Sequence, residues 1–357
     1  MKKTFIFLAA AAALVLAAAP ASKKAPVKKA AKKTAKVRQA ALPAEVKVVD
    51  YPCTIDNSKQ KAMHFIAKGK EKRPLLVALH TWGGTYQQSC RNYALYCVKN
   101  NWNFIFPHFR GQNWNPDGCG SDKAVQDIVD AVAYMKKVAN VDTDRVYLMG
   151  GSGGGHATLL LAGRHPELWT AVSAWCPISD IAAWYDECLP KKRYKGYSAH
   201  ILKACGGDPS KDAKAKEQAK KRSPLTYLAN AAKLKVDIST GIHDGHSGSV
   251  PVSQTLNAFN VLAAEKDRLS KEDIAYITRE QKIPAKFGKA AKDPAFGRNV
   301  VHFRRQSRLV RVTVFEGGHT ILYTPALDWL SRQHRNKPAD WTAGTKQSAA
   351  KAAEIFK

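Results

Sequence analysis

Acidic residues are scarce in this 357-residue chain, which carries 29 Asp and Glu against 57 Lys and Arg, a formal net charge of +28. An excess of that size points to an anionic partner such as nucleic acid, a membrane surface or an acidic polymer. The basic residues are scattered and accompany no nucleic-acid-binding motif, so no nucleic-acid partner is expected. A bilayer-spanning run of about 18–20 apolar residues is missing too. The longest, Phe5 to Ala19, has 15 residues. No G-x-x-x-x-G-K-[ST] or G-x-G-x-x-G pattern is present, which argues against a phosphate cradle. Cysteine is sparse and odd in number, seven in all, so at least one thiol stays unpaired. What is present, 45% hydrophobic and 9% aromatic residues, is enough for a folded chain with a proper core.

Lys2 and Lys3 ahead of the apolar run, and Ala19-Pro20-Ala21 behind it, form the three-part pattern of a secretory signal peptide over residues 1–21. An exported protein, periplasmic or extracellular, is expected, with no transmembrane segment in the mature chain. Residues 22–43 are nearly all Lys, Ala, Pro and Val and read as a basic disordered linker. Residues 1–40 hold ten of the positive charges and none of the negative, so +18 of the +28 stays on the rest. Acidic polysaccharide is the partner that this surface suggests. Cys90 and Cys97 share a helix candidate, where seven residues rise about 10.5 Å. That exceeds the roughly 4.4–6.8 Å of a disulfide, so this pair is not expected to bridge.

From residue 74 onward apolar runs alternate with helical patterns. Leu75–Leu79, Trp102–Phe106, Arg145–Met149, Ala171–Trp175, Val236–Ile242 and Leu309–Phe315 read as strands, several of them continuous enough to be covered on both faces. Val125, Ile128, Val129, Val132 and Met135 fall at helical spacing, and Gly153–Gly163, Val252–Ala264 and Pro325–Arg332 are further helix candidates. The alternation predicts an α/β fold with a mostly parallel, doubly wound sheet. One main domain is expected over 44–334, with cap-like insertions at about 177–235 and 265–307 and a tail over 335–357.

Gly150-Gly151-Ser152-Gly153-Gly154 satisfies G-x-S-x-G where a predicted strand meets a predicted helix. Only small neighbours tolerate the strained backbone of such a turn, which pushes the Ser152 hydroxyl out over the sheet. A hydroxyl needs a base to remove its proton, and the base needs an orienting carboxylate. Asp244 directly follows the strand at 236–242, and His319 follows the last strand after two glycines. Ser152, Asp244 and His319 are therefore the expected triad. Asp237 is a rival acid at the wrong end of its strand, and His156 lies on the helix behind the serine. His243 and His246 lack a third ligand at metal spacing, so no metal and no cofactor are expected. The oxyanion donors should be the N–H of Gly153 and that of Trp82, with Thr81 as the fallback. Arg110, Trp114, Asp180 and Trp184 follow strand candidates and are the candidate substrate contacts.

Over residues 60–332 the sequence resembles the catalytic domain of the prolyl oligopeptidase family, within the α/β-hydrolase fold. The matching segments are VDTDRVYLMGGSGGGH, GSDKAVQDIVDAVAYM, KRSPLTYL, GIHDGHSGSVPVSQT and FEGGH. The resemblance implies the same triad, Ser152, Asp244 and His319. Two departures stand out: the length leaves no room for the family's propeller domain, and five residues separate Asp244 from Val250-Pro251, more than is usual there. A secreted single-domain relative also resembles bacterial carbohydrate esterases, including acetyl and feruloyl esterases, in its His80-x-x-Gly83-Gly84 loop. The expected activity is acyl transfer from an ester or a peptide to water, leaning to saccharide-linked or other polar esters. The alternatives are a prolyl-oligopeptidase-type peptidase and a basic polysaccharide-binding protein with a vestigial site.

Overall fold

The computed structural model describes residues 41–356 apart from 289 and 291. The expected signal peptide, and all but the last three residues of the basic linker, lie outside the described residues. Nine strands form one sheet: β1 (Lys47–Pro52), β2 (Lys59–Phe65), β3 (Arg73–Leu79), β4 (Asn103–Pro107), β5 (Val141–Gly151), β6 (Ala171–Trp175), β7 (Lys235–Gly241), β8 (Val301–Ser307) and β9 (Val310–Phe315). Their spatial order is β1-β2-β4-β3-β5-β6-β7-β9-β8. The stretch from β4 through β9 is parallel. β1 and β2 at one edge and β8 at the other pair antiparallel. This is the mostly parallel sheet that the alternation predicts.

Helices cover both faces because the strands are apolar on both. Leu75, Val77 and Leu79 of β3 enter one core, and Leu76 and Ala78 enter the other. Val146 and Leu148 against Tyr147 and Met149 repeat the division in β5, as the two-residue strand period requires. The first core is closed by α2 (Asp122–Val138), α3 (Gly153–Arg164), α7 (Val252–Leu262) and α8 (Lys271–Glu280), and the second by α1 (Arg91–Lys99), α9 (Tyr323–Ser331) and α10 (Lys346–Ile355). In α2 the Ser121 hydroxyl caps the N-terminus by accepting from Ala124 N–H at 3.1 Å. Ile128 and Val132 are buried on its inner stripe, each worth roughly 1.5–3 kcal/mol.

Two segments differ from the sequence reading. Val301–Ser307, counted there within the second insertion, is the edge strand β8, and residues 346–355 of the tail form a helix against the second core. The stretch between β6 and β7 folds into α4 (Ile181–Cys188), α5 (Lys195–Cys205) and α6 (Ala213–Arg222). These helices share a third apolar cluster with Trp82, built around Trp184, Ile201 and Ala219. All seven cysteines are buried and unbridged. Among the described residues, no helix is long and apolar enough to cross a membrane.

Candidate active site

The carboxyl ends of the parallel strands bring the expected residues to one rim. Ser152 follows β5 with φ at 58°, left-handed backbone that a side chain rarely adopts. The turn is clasped by Ser152 N–H donating to Trp175 O at 2.8 Å and His156 N–H donating to Ser152 O at 2.8 Å. Ser152 occupies the N-cap of α3, yet its hydroxyl makes no capping bond and has no hydrogen-bond partner among the described residues. The glycines on its far side are there for contact. A Cβ on Gly153 would stand 2.5 Å from Trp82 Cα and 3.0 Å from Thr81 C, and one on Gly154 would stand 2.8 Å from His80 O. Only hydrogen at these positions lets the loop after β3 lie directly on the start of α3.

That loop settles which backbone donor is free. Thr81 N–H donates to Gln88 Oε1 at 3.0 Å, and the Thr81 hydroxyl donates to the same oxygen at 2.9 Å. Among the described residues the Trp82 N–H has no partner, and it faces Gly153. The first N–H of α3 likewise has no intrahelical acceptor. The Trp82 indole is buried elsewhere: Nε1–H donates to His200 Nδ1 at 3.2 Å, and the ring meets Trp184 edge to face at 4.8 Å. Beneath the loop, His80 stacks on Phe109 at 3.8 Å. Burial lowers the His80 pKa to about 4, so the ring is neutral and only one of its two nitrogens carries a proton toward a carbonyl.

Asp244 is fully buried and strongly held. Its Oδ1 accepts from Gly245 N–H at 2.9 Å and from Val250 N–H at 3.1 Å, and its Oδ2 faces His319 Nδ1 at 2.7 Å. The long interval between Asp244 and Val250 thus curls back onto the carboxylate. For His319, burial opposes the charged form. The bond to the Asp244 carboxylate, together with the nearby Cys176 sulfur, outweighs it, and the imidazole pKa is raised. Ser152, His319 and Cys176 line one cavity of about 390 Å³ with Thr81, Trp82, Gly83, Tyr197, Thr320, Ile321 and Tyr323. Among the described residues no hydrogen bond joins Ser152 Oγ to the imidazole. Such bonds often tighten only when substrate is bound.

The rival acid and the other histidines are accounted for. Asp237 pairs with Arg311 at 2.7 Å, both buried, between β7 and β9. His156 Nε2 contacts Arg222 O at 2.7 Å, facing away from the cavity. His243 lies between Gln281 at 2.8 Å and Glu316 at 2.9 Å, and His246 Nε2 donates to Thr278 O at 2.7 Å.

Of the four expected substrate contacts, none lines the cavity. Arg110 is locked into the fold: its Nε reaches Asp127 Oδ2 at 2.9 Å and its Nη1 reaches Asp56 Oδ2 at 2.7 Å. Asp180 caps α4, accepting from Ala183 N–H at 3.1 Å. Trp184 is buried, and its Nε1–H donates to Ser249 O at 2.8 Å. Trp114 lies beside the cavity-lining Gly83, with its ring 4.5 Å from that of His200. The Arg110 site gives a prediction. Arg110→Ala strands the fully buried Asp127 carboxylate and should cost about 3–5 kcal/mol. Thermal unfolding should fall by several degrees, while KM for a small ester stays unchanged; a raised KM at unchanged Tm would return Arg110 to substrate binding.

Sequence reasoning missed Gln88, Cys176, Tyr197 and Tyr323. Gln88 has no motif around it and reaches the loop across seven residues. Cys176 gave one signal, its place directly after a strand that ends at the same rim.

The sequence profile of the prolyl oligopeptidase family matches residues 96–278, just over half of the chain. The chain belongs to that family of serine hydrolases, and its sheet and helices are those of the α/β-hydrolase fold. Feruloyl esterase B of Thermothelomyces thermophilus is 34% identical over 117 residues, covering 30% of this chain and 40% of that protein. Acylamino-acid-releasing enzyme 1 of Oryza sativa subsp. japonica is 25% identical over 202 residues, covering 49% of this chain and 25% of that one. This chain therefore matches less than half the length of either. The crystal structure of Pyrococcus horikoshii acylaminoacyl peptidase overlays with a TM-score of 0.58 at 15% identity, over 88% of this chain and 44% of the other. At that identity the likeness concerns the fold alone.

Proposed function

We propose that this chain hydrolyses esters through an acyl-enzyme formed on Ser152. His319 takes the Ser152 proton as Oγ attacks the acyl carbon, then returns it to the leaving oxygen. Asp244 fixes the ring so that its other nitrogen faces the serine, and it stabilises the imidazolium that forms. The N–H groups of Gly153 and Trp82 receive the tetrahedral oxyanion, where one such donor is worth about 10²–10³ in kcat. The observation that carries this reading is the 2.7 Å Asp244–His319 contact beside a hydroxyl held free on a strained turn.

The preference for esters is supported by the cavity wall. None of its described lining residues carries a carboxylate, and His319 is the one basic side chain among them, so a free amino terminus finds no acidic partner there. Two tyrosines, Tyr197 and Tyr323, and the aliphatic Ile321 suit an uncharged or aromatic acyl group. The partial likeness to a feruloyl esterase agrees with this choice. The likeness to an acylamino-acid-releasing enzyme supports a second reading, a peptidase for N-blocked peptides, which the same neutral wall would accept. Export, and attraction of the strongly basic chain to acidic polysaccharide, complete the proposal.

The test is one substrate panel on the purified chain: feruloylated and acetylated sugars beside N-acetyl dipeptide amides. The expected kcat/KM is at least about tenfold higher for the esters. Faster cleavage of the blocked peptides would replace the ester reading with the peptidase one. Binding to polygalacturonate, followed in the same samples, should weaken as salt rises; salt-insensitive binding would remove the electrostatic partner.

A further inference from the structure

We propose that Cys176, His319 and Asp244 form a binding site for a soft divalent metal ion, and that Zn²⁺ held there switches the enzyme off. One donor atom from each residue, the Cys176 Sγ, a ring nitrogen of His319 and a carboxylate oxygen of Asp244, lies within 4.8 Å of the other two. Cys176 directly follows β6 with φ at 45°, and that turn brings its side chain to the cavity shared by Ser152 and His319. Its thiol has one weak partner, the Thr320 carbonyl at 3.4 Å. None of the proposed catalytic steps uses it.

Thiolate, imidazole and carboxylate are the ligand types of zinc, with bond lengths of about 2.0–2.3 Å. A tetrahedron of those bonds sets neighbouring ligand atoms roughly 3.3–3.8 Å apart. The donor atoms would close to that spacing by side-chain rotation, and Cys176 and His319 both line the cavity from which a fourth ligand would come. The thiolate selects for a soft or borderline ion and against Mg²⁺ or Ca²⁺. Binding releases the Sγ proton to solvent. Because that proton must leave, binding tightens as the pH rises.

The switching follows from proton positions and rests on His319 being the base. An ion on Nε2 occupies the lone pair that would accept the Ser152 proton. An ion on Nδ1 breaks the bond to Asp244 and leaves the ring's one proton on Nε2. Either way the serine is not activated.

The experiment titrates the purified full chain with ZnCl₂ and, separately, CoCl₂, reading bound metal by equilibrium dialysis, the near-ultraviolet thiolate-to-cobalt band, and ester turnover. One ion per chain is expected, with turnover falling at least tenfold and returning on addition of EDTA. MgCl₂ should do nothing. Cys176→Ala and Cys176→Ser, each compared with its own metal-free rate, should lose the cobalt band and need at least about tenfold more zinc for half inhibition. Wild-type protein without the band, or variants as zinc-sensitive as wild type, would overturn the proposal. Stoichiometric binding with the band, in a chain that a fluorophosphonate does not label, would support the metal site and overturn the catalytic reading instead.

Discussion

Ser152→Ala is expected to abolish ester turnover, by about 10⁶-fold in kcat, while the protein unfolds at the same temperature. The two halves of that expectation have separate causes. The chemical loss is total for the acyl-enzyme route, because no other hydroxyl stands on the elbow. Residual rate should come only from substrate held against the free N–H groups of Gly153 and Trp82. Stability is spared because the serine hydroxyl makes no capping bond, so its removal strands no donor. The backbone strain at φ 58° is the same for any residue with a Cβ, alanine included. A variant that kept a hundredth of wild-type turnover would place the nucleophile elsewhere.

Asp244→Asn should lower kcat by about 10⁴-fold, and it should also move the pH profile. His319 works as a base only in its neutral form, so activity is lost as the pH falls through its pKa. In the wild type that pKa is raised above the ordinary 6.5, and the acid limb of kcat/KM is therefore expected above pH 6.5. Asparagine removes the charge that favours the imidazolium, so the limb moves to lower pH while the plateau drops. The amide also presents an N–H₂ where Oδ2 now accepts, which favours the wrong ring tautomer. A pH–rate profile of the variant reads both effects. A lower plateau with an unmoved limb would mean that the carboxylate does not set the His319 pKa.

The parts of this molecule that were legible in the sequence are those fixed by short-range constraints. β3, β6 and the second half of β5 from Val146 are covered on both faces, so they read as largely apolar runs without any knowledge of their partners. The turn at Ser152 announced itself because the backbone geometry there demands glycine on each side. The meeting of Asp244 and His319 at one rim needed only the rule that the carboxyl ends of parallel strands lie along one edge of the sheet. The edge strands were opaque for the opposite reason. In β1 only Tyr51 is buried, and in β8 only Phe303 and Ser307, so neither carries an apolar signature. α10 is held by a Thr345–Ser348 capping box and, among its described residues, by buried Ala352 and Ile355, too little to separate it from a tail.

The four expected substrate contacts lie off the cavity for a related cause. A residue on a loop after a strand is placed by partners far away in the chain. Arg110 is captured by Asp56, 54 positions earlier, and Trp184 by the carbonyl of Ser249, 65 positions later. Proximity to the catalytic rim in sequence logic did not reveal that these side chains were already engaged. Besides the loop after β3 and Cys176, the cavity wall comes from a cap helix (Tyr197) and from the residues that follow His319, neither of which carries a motif.

Mass mapping of the purified chain after reaction with a fluorophosphonate probes most directly whether residues 152, 244 and 319 act together. A single adduct on the peptide that carries Ser152 is expected, formed more slowly as the pH falls and absent from Ser152→Ala. An adduct on any other residue, or no adduct in protein that still hydrolyses esters, would contradict the assignment.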